Sequence, residues 1–166
     1  MTGLQVRPAT EDDLVYICEI VNHFIERTVF NFRIEPQTVD EWRDLWARTH
    51  DRFPWLVGTD DRVVGVAYAA PWNDKAAYRW TAECTVYVAP LAHRRGVGDA
   101  LYTELLDRLR RRGFHSGVAV ITLPNDPSVG LHERHGFVQV GRLAEAGYKW
   151  NAWHDVGFWQ CRLADR

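Results

Sequence analysis

The chain has 166 residues, of which 46% are hydrophobic and 25% charged, and its formal net charge at pH 7 is −2. That length and balance predict one globular domain spanning residues 1–166 around a buried core. They exclude a bulk basic field, and no apolar run reaches the roughly 18 residues of a membrane-spanning helix, so neither nucleic acid nor a membrane is expected as a partner.

Leu4–Arg7 reads as a short first strand. Thr10-Glu11-Asp12-Asp13 resembles a capping box and starts a helix reaching about Glu26. Leu14, Ile17, Cys18, Val21 and Ile25 recur along it at helical spacing. Thr28–Pro36 is a connector with two phenylalanines and Arg33, either a loop packing its aromatics on the core or a substrate loop. Thr38–Thr49 is a second helix with Trp42, Leu45 and Trp46 along one side. Trp55–Thr59 and Val63–Ala70 flank Asp60-Asp61 as a hairpin. Pro71–Arg79 is a polar, aromatic-bearing connection. Thr81–Val88 alternates and is rich in Thr, Val and Tyr, as a pleated strand is.

Ala89-Pro90 ends that strand, and a basic turn follows, His93-Arg94-Arg95-Gly96-Val97-Gly98. Asp99–Arg112 carries apolar residues at 101, 105, 106 and 109, a helical stripe, and Gly113 closes it. Gly117–Leu123 is an unbroken apolar run, as expected of a central parallel strand. Pro124–Pro127 is a turn and Ser128–His135 a short helix ended by Gly136. Two long strands, Phe137–Tyr148 and Trp153–Leu163, finish the chain around Asn151. Residues 81–123 form a βαβ unit. The whole order predicts an α/β (α+β) domain in which helices flank a mixed central sheet.

The glycines of the basic turn let backbone N–H groups approach a ligand. A helix start adds unpaired donors and partial positive charge, and two arginines add charge-assisted bonds. The turn is therefore a candidate phosphate cradle; a plain basic turn before a helix is the other reading. No Gly-Lys-Ser/Thr of a Walker A loop is present, and no third glycine completes a dinucleotide fingerprint. A βαβ unit binds ligand beyond the carboxyl ends of its strands. The basic turn leaves one such end; Asn125 and the helix carrying His132 leave the other.

Glu83 lies upstream of the turn in an otherwise apolar strand. It is either a desolvated base with a raised pKa or a carboxylate facing solvent or a cation. Val86, Tyr87 and Val88 offer backbone groups to a ligand if the parallel strands splay, and pair normally if they do not. Cys84 falls on the face opposite Glu83 and is assigned to the core. Three cysteines make no even disulfide framework, and no apolar leader opens the chain, so a cytoplasmic setting is expected.

The order and motifs together resemble the GNAT superfamily of acyl-CoA-dependent N-acyltransferases. The basic turn looks like its Gln/Arg-x-x-Gly-x-Gly/Ala pyrophosphate loop, and Asn125, Ser128, His132 and Gly136-Phe137 look like its Asn-x-x-Ala-x-x-x-Tyr-x-x-x-Gly-Phe segment. The likeness is closer to the phosphinothricin N-acetyltransferase branch. There it extends over nearly the whole chain, including Asn31-Phe32-Arg33, Trp80-Thr81-Ala82-Glu83, Leu123 to Val129 and Trp153 to Gln160. His93 departs from the Gln or Arg usual at the first loop position, and Asp99 puts an anion beside the proposed phosphates.

This resemblance implies acetyl-CoA as co-substrate, no metal, a homodimer, and a small amino acid such as phosphinothricin or methionine sulfoximine acetylated on its α-amine. It implies direct transfer with Glu83 as general base and with His132 supplying or relaying a proton. Val86, Tyr87, Val88, Asn125 and Ser128 would meet the pantetheine and thioester, and His93, Arg94, Arg95, Gly96, Val97, Gly98 and Asp99 the pyrophosphate. The carboxylate of such a substrate needs a cation, for which Arg33, Lys75, Arg79 and Lys149 are candidates; Phe32, Tyr78 and Trp80 would wall its side chain. Two alternatives stay open: a relative acting on another amine (a polyamine, an aminoglycoside or a protein N-terminus), and a non-catalytic acyl-CoA sensor. The presence of both Glu83 and His132 argues against the sensor.

Overall fold

The computed structural model describes residues 3–164. In chain order its elements are β1 (Gln5–Pro8), α1 (Leu14–Arg27), α2 (Val39–Thr49), β2 (Trp55–Asp60), β3 (Arg62–Pro71), β4 (Thr81–Val88), α3 (Val97–Arg111), β5 (Ser116–Leu123), α4 (Asp126–Arg134), β6 (Val138–Lys149) and β7 (Ala152–Arg162). The strands form one seven-stranded sheet in the order β1-β2-β3-β4-β5-β7-β6. Every neighbouring pair is antiparallel except β4 and β5. That parallel pair follows from the helical crossover between them, since parallel strands cannot be joined by a tight hairpin. The expected mixed α/β architecture is the observed one.

Two apolar layers cover the sheet. On one face, Leu101, Tyr102, Leu105, Leu106 and Leu109 of α3 pack on Ala82, Cys84, Ala119, Ile121 and Trp159. On the other, Leu14, Ile17, Val21 and Ile25 of α1 and Trp42 of α2 pack on Trp55, Val57 and Val66. The period-two alternation of β4 sorts its side chains between them. Ala82 and Cys84 enter the α3 layer, while Tyr87 packs on the α1 layer. Glu83 and Thr85 share the face of Tyr87.

Two helices begin about two residues earlier than their sequence pattern suggests, and the caps explain it. Gly96, at φ 76° and ψ 6°, sits in the left-handed region just before α3, so the chain turns into the helix at Val97 instead of Asp99. Asn125 caps α4 by accepting a hydrogen bond from Ser128 N at 3.3 Å. Pro127 then falls in the first turn, where no backbone N–H is needed.

Candidate active site

The central sheet has a fault. β4 and β5 pair at Thr81↔Ser116, Ala82↔Gly117 and Glu83↔Val118, and the pairing goes no further. β4 nevertheless continues to Val88 and β5 to Leu123. Their outer edges remain fully laddered: β4 pairs with β3 from Ala82 to Val88, and β5 pairs with β7 from Ser116 to Leu123. The strands thus diverge as a wedge with Glu83 at its apex. Past the apex the β5-facing backbone groups of β4 have no sheet partner among the described residues, as a ligand-binding splay requires.

A cavity of about 810 Å³ occupies the wedge, within the range of small-molecule sites. Its floor includes Glu83, Val86, Tyr87 and Val88 of β4 and Val120 to Thr122 of β5. The turn into α3 adds His93, Arg94, Gly96, Val97, Gly98 and Asp99, and the start of α4 adds Asn125, Ser128 and His132. Phe30, Asn31 and Phe32 of the α1–α2 connector close the remaining side. Residues scattered over the sequence from 24 to 156 thereby meet in one cleft.

The turn has the shape of an anion cradle. The first backbone bond of α3 runs from Ala100 N to Gly96 O at 3.0 Å, so the N–H groups of Val97, Gly98 and Asp99 precede the helical ladder. Arg94 borders the cavity, whereas Arg95 lies outside it, paired with Asp60. His93 donates through Nε2 to Val88 O at 2.8 Å, tying the turn to the end of β4. Asp99 does not stand there as an uncompensated anion: Arg134 Nη2 lies 3.2 Å from its carboxylate and His135 Nε2 3.3 Å. Burial alone would raise the Asp99 carboxyl, but Arg134 and His135 hold it below its ordinary value. These contacts also clamp α3 to α4, the two helices that rim the cleft.

Glu83 is partly buried, and burial pushes its carboxyl above the ordinary range. Among the described residues no donor hydrogen-bonds to it, so its lone pairs are uncommitted. Cys84 behaves differently. Its residue borders the cavity but is 3% exposed, and burial drives its thiol far above the usual cysteine range. A thiol so rarely ionised is a poor nucleophile, which agrees with its assignment to the core.

His132 is 4% exposed, with its ring edge-on to Tyr102 at 4.9 Å and Phe137 at 5.3 Å. Its Nδ1 lies 2.7 Å from Ser128 O. A carbonyl only accepts, so Nδ1 carries the hydrogen. Burial lowers the His132 pKa, which keeps the ring neutral near pH 7 with a lone pair at Nε2. Nε2 has no hydrogen-bond partner among the described residues.

The residues expected to meet the substrate divide. Phe32 lines the cavity; Arg33, Lys75 and Tyr78 do not. Arg33 is exposed in the connector beside Phe32. Tyr78 borders a second hollow of about 400 Å³ with Trp72, Thr81 and Val118, the last being the strand partner of Glu83. Lys75 is exposed in the same β3–β4 connection. Arg79 lies over the Trp80 ring at 5.6 Å. Lys149 is 3% exposed and donates to two backbone carbonyls, so its charge does not face the cleft as a free cation.

Sequence reasoning passed over Asn31 and Tyr68. Asn31 Nδ2 donates to Tyr87 Oη at 3.0 Å and anchors the connector to β4. Tyr68 reaches the cavity from β3. Both lay inside recognisable runs, but only the β3–β4 register and the Asn31–Tyr87 bond bring them to the cleft.

The chain matches the Acetyltransferase (GNAT) family over residues 17–137. It is 54% identical over 158 residues to a phosphinothricin N-acetyltransferase of Streptomyces viridochromogenes, covering 95% of this chain and 86% of that protein. It is 35% identical over 166 residues to an L-methionine sulfoximine/L-methionine sulfone acetyltransferase of Salmonella typhimurium, covering 96% and 95%. A solved GNAT phosphinothricin acetyltransferase from Sinorhizobium meliloti, in complex with AcCoA, superposes with a TM-score of 0.93 at 31% identity, over 98% of this chain and 90% of that one. The wedge, the glycine turn and these likenesses define one class: the chain belongs to the GNAT acetyltransferase family. Within that family it falls in the phosphinothricin N-acetyltransferase branch.

Proposed function

We propose that this chain transfers acetyl from acetyl-CoA to the free α-amine of a small amino acid such as phosphinothricin or methionine sulfoximine, directly and with Glu83 as general base. One observation carries the reading: a desolvated carboxylate with no partner among the described residues stands at the apex of the splayed strands. The pyrophosphate sits on the N–H groups of the turn, beside Arg94. The pantetheine runs down the wedge along Val86 to Val88, with Asn125 and Ser128 at its side. Arg95 contributes by holding the turn to Asp60.

The amine arrives as an ammonium and has no lone pair until it loses a proton. Glu83 accepts that proton, directly or through a water, and its raised pKa brings it nearer the basicity that general-base catalysis needs. The nitrogen attacks the thioester carbonyl, backbone N–H groups of the splayed β4 stabilise the oxyanion, and the C–S bond breaks. The neutral His132 has no proton on Nε2 to give at the outset. It therefore relays a proton from the attacking nitrogen to the departing sulfur, and it does not begin as an acid.

Phe32 walls the acceptor end and Arg33 beside it draws the substrate carboxylate. Tyr78 approaches the apex from the second hollow, on the side of Val118, with Lys75 exposed in the same β3–β4 connection. No metal takes part in this chemistry. We further infer a cytoplasmic homodimer formed on the β6–β7 face, where Val138, Val140, Leu143, Trp150 and Trp153 are each more than half exposed. Sedimentation velocity tests the dimer.

The reaction is tested by thiol release from acetyl-CoA against an amine panel: phosphinothricin, methionine sulfoximine, glutamate, spermidine, an aminoglycoside and a peptide N-terminus. Turnover with the first two supports the reading. Turnover confined to the last three overturns the substrate class, and binding of acetyl-CoA without any turnover marks a sensor.

A further inference from the structure

Lys149 is buried, at 3% exposed, and no carboxylate pairs with it among the described residues. Its ammonium instead donates to Ile25 O at 2.6 Å and Asn31 O at 2.8 Å. A third contact is the Trp150 ring, 5.5 Å away. Ile25 lies in the last turn of α1, where carbonyls carry the partial negative end of the helix dipole. Asn31 lies in the connector that closes the cleft. One ammonium therefore spans the exit of α1 and the wall of the cavity.

A second observation concerns the same strand end. Gly147 stands two residues before Lys149, on the same face of β6. A Cβ built there would lie 2.2 Å from Phe32 Cε2 and 2.3 Å from Phe32 Cζ, so the Phe32 ring occupies the space that the missing side chain leaves. The end of β6 thus shapes the connector twice: Lys149 fixes its backbone at Asn31, and Gly147 receives its aromatic side chain. Asn31 then passes the constraint to Tyr87 of β4 through its side-chain amide.

We propose that Lys149 is a positioning residue for the acceptor amine: by tying the α1–α2 connector at Asn31 O to the last turn of α1 at Ile25 O, it sets where Phe32 and Asn31 meet the substrate, without touching it. Its partners are carbonyls, so its charge serves the wall and not the substrate carboxylate. A buried ammonium is costly unless its donors are satisfied. Here one is satisfied by the exit of α1 and one by the connector that closes the cleft. The proposal rests on the acetyl-transfer reading above.

The test compares Lys149→Met, which keeps the apolar stem and removes the donors, with Lys149→Arg and Gly147→Ala. Acceptor and acetyl-CoA are varied separately. The expected result for Lys149→Met is an acceptor KM raised roughly tenfold with the acetyl-CoA KM within about twofold of the parent. Lys149→Arg, which keeps charge and donors, retains part of the parent acceptor KM. Gly147→Ala, which displaces Phe32 while leaving Lys149 in place, reproduces the split should Lys149→Met fail to fold. Limited trypsin digestion adds a readout independent of activity: cleavage after Arg27 and Arg33 accelerates in Lys149→Met while cleavage elsewhere keeps its parent rate. An unchanged acceptor KM, equal increases in both KM values, or uniformly faster proteolysis overturns the proposal. If the parent protein transferred no acetyl group, the acetyl-transfer reading would fail alone, and localised cleavage would still report the pin.

Discussion

The two walls of the cleft are built by different rules. The wall proposed for the nucleotide is nearly continuous in sequence: strand end, glycine turn, helix start, then α4 with its Asn125 cap. Its donors are backbone N–H groups, which any sequence able to make the turn would present. The acceptor wall is assembled across the chain. Asn31 reaches Tyr87 across 56 positions, and Lys149 reaches Ile25 across 124 and Asn31 across 118. On the proposed reading, backbone geometry serves the common cofactor, while long-range side-chain contacts serve the part that selects one acceptor.

That contrast can be broken most sharply at the apex, which belongs to both walls. Glu83→Gln is expected to lower kcat at least about a hundredfold while calorimetry shows acetyl-CoA binding retained. As the proposed base, Glu83 must be deprotonated to act, so the parent kcat is expected to rise with pH through a pKa above the ordinary glutamate value of about 4.3, a limb absent from the variant. Parent-like turnover in Glu83→Gln would take the carboxylate out of the mechanism. His132→Ala is expected to lower kcat roughly tenfold with little change in acetyl-CoA KM. The reverse pattern would make His132 part of the nucleotide wall alone. Since burial lowers its pKa, any loss of activity on protonating His132 falls on the acid side of about 6.5.

Gly96→Ala touches only the nucleotide wall. A side chain at φ 76° strains the turn by about 1 kcal/mol or more, so acetyl-CoA KM should rise about fivefold and acceptor KM should not move. Equal increases would show the two walls to be coupled. The smallest effect is expected at the α3–α4 clamp. Asp99 is 49% exposed, so Asp99→Asn should cost less than about 1 kcal/mol. The Asp99 pKa is lowered in the folded state, so its contribution is full above the ordinary aspartate value of about 3.9 and fades as pH falls through the lowered one. Thermal melts of parent and variant should therefore converge in acid.

The same division governs what the sequence disclosed. The strand, turn and helix from Thr81 to Arg112 were readable because each signal lies within a few residues of the next. The start of α4 was read two residues late because Pro127 suggests a break, whereas the first turn of a helix tolerates it. The wedge itself was readable only as a possibility, since where β4 and β5 part depends on register. Arg95 is equivalent to Arg94 in sequence, and only its pairing with Asp60, 35 positions earlier, separates the two. Four cations were candidates for one carboxylate. Composition offered no means of telling that Lys149 was already engaged by the backbone of a loop far away in the chain.

The fault between β4 and β5 is flanked by complete ladders on both outer sides. Neither lip of the gap depends on its neighbour across it for support. The slot therefore exists before anything enters, and the long flexible thioester arm proposed to dock there would lose its own freedom without also having to organise the protein around it.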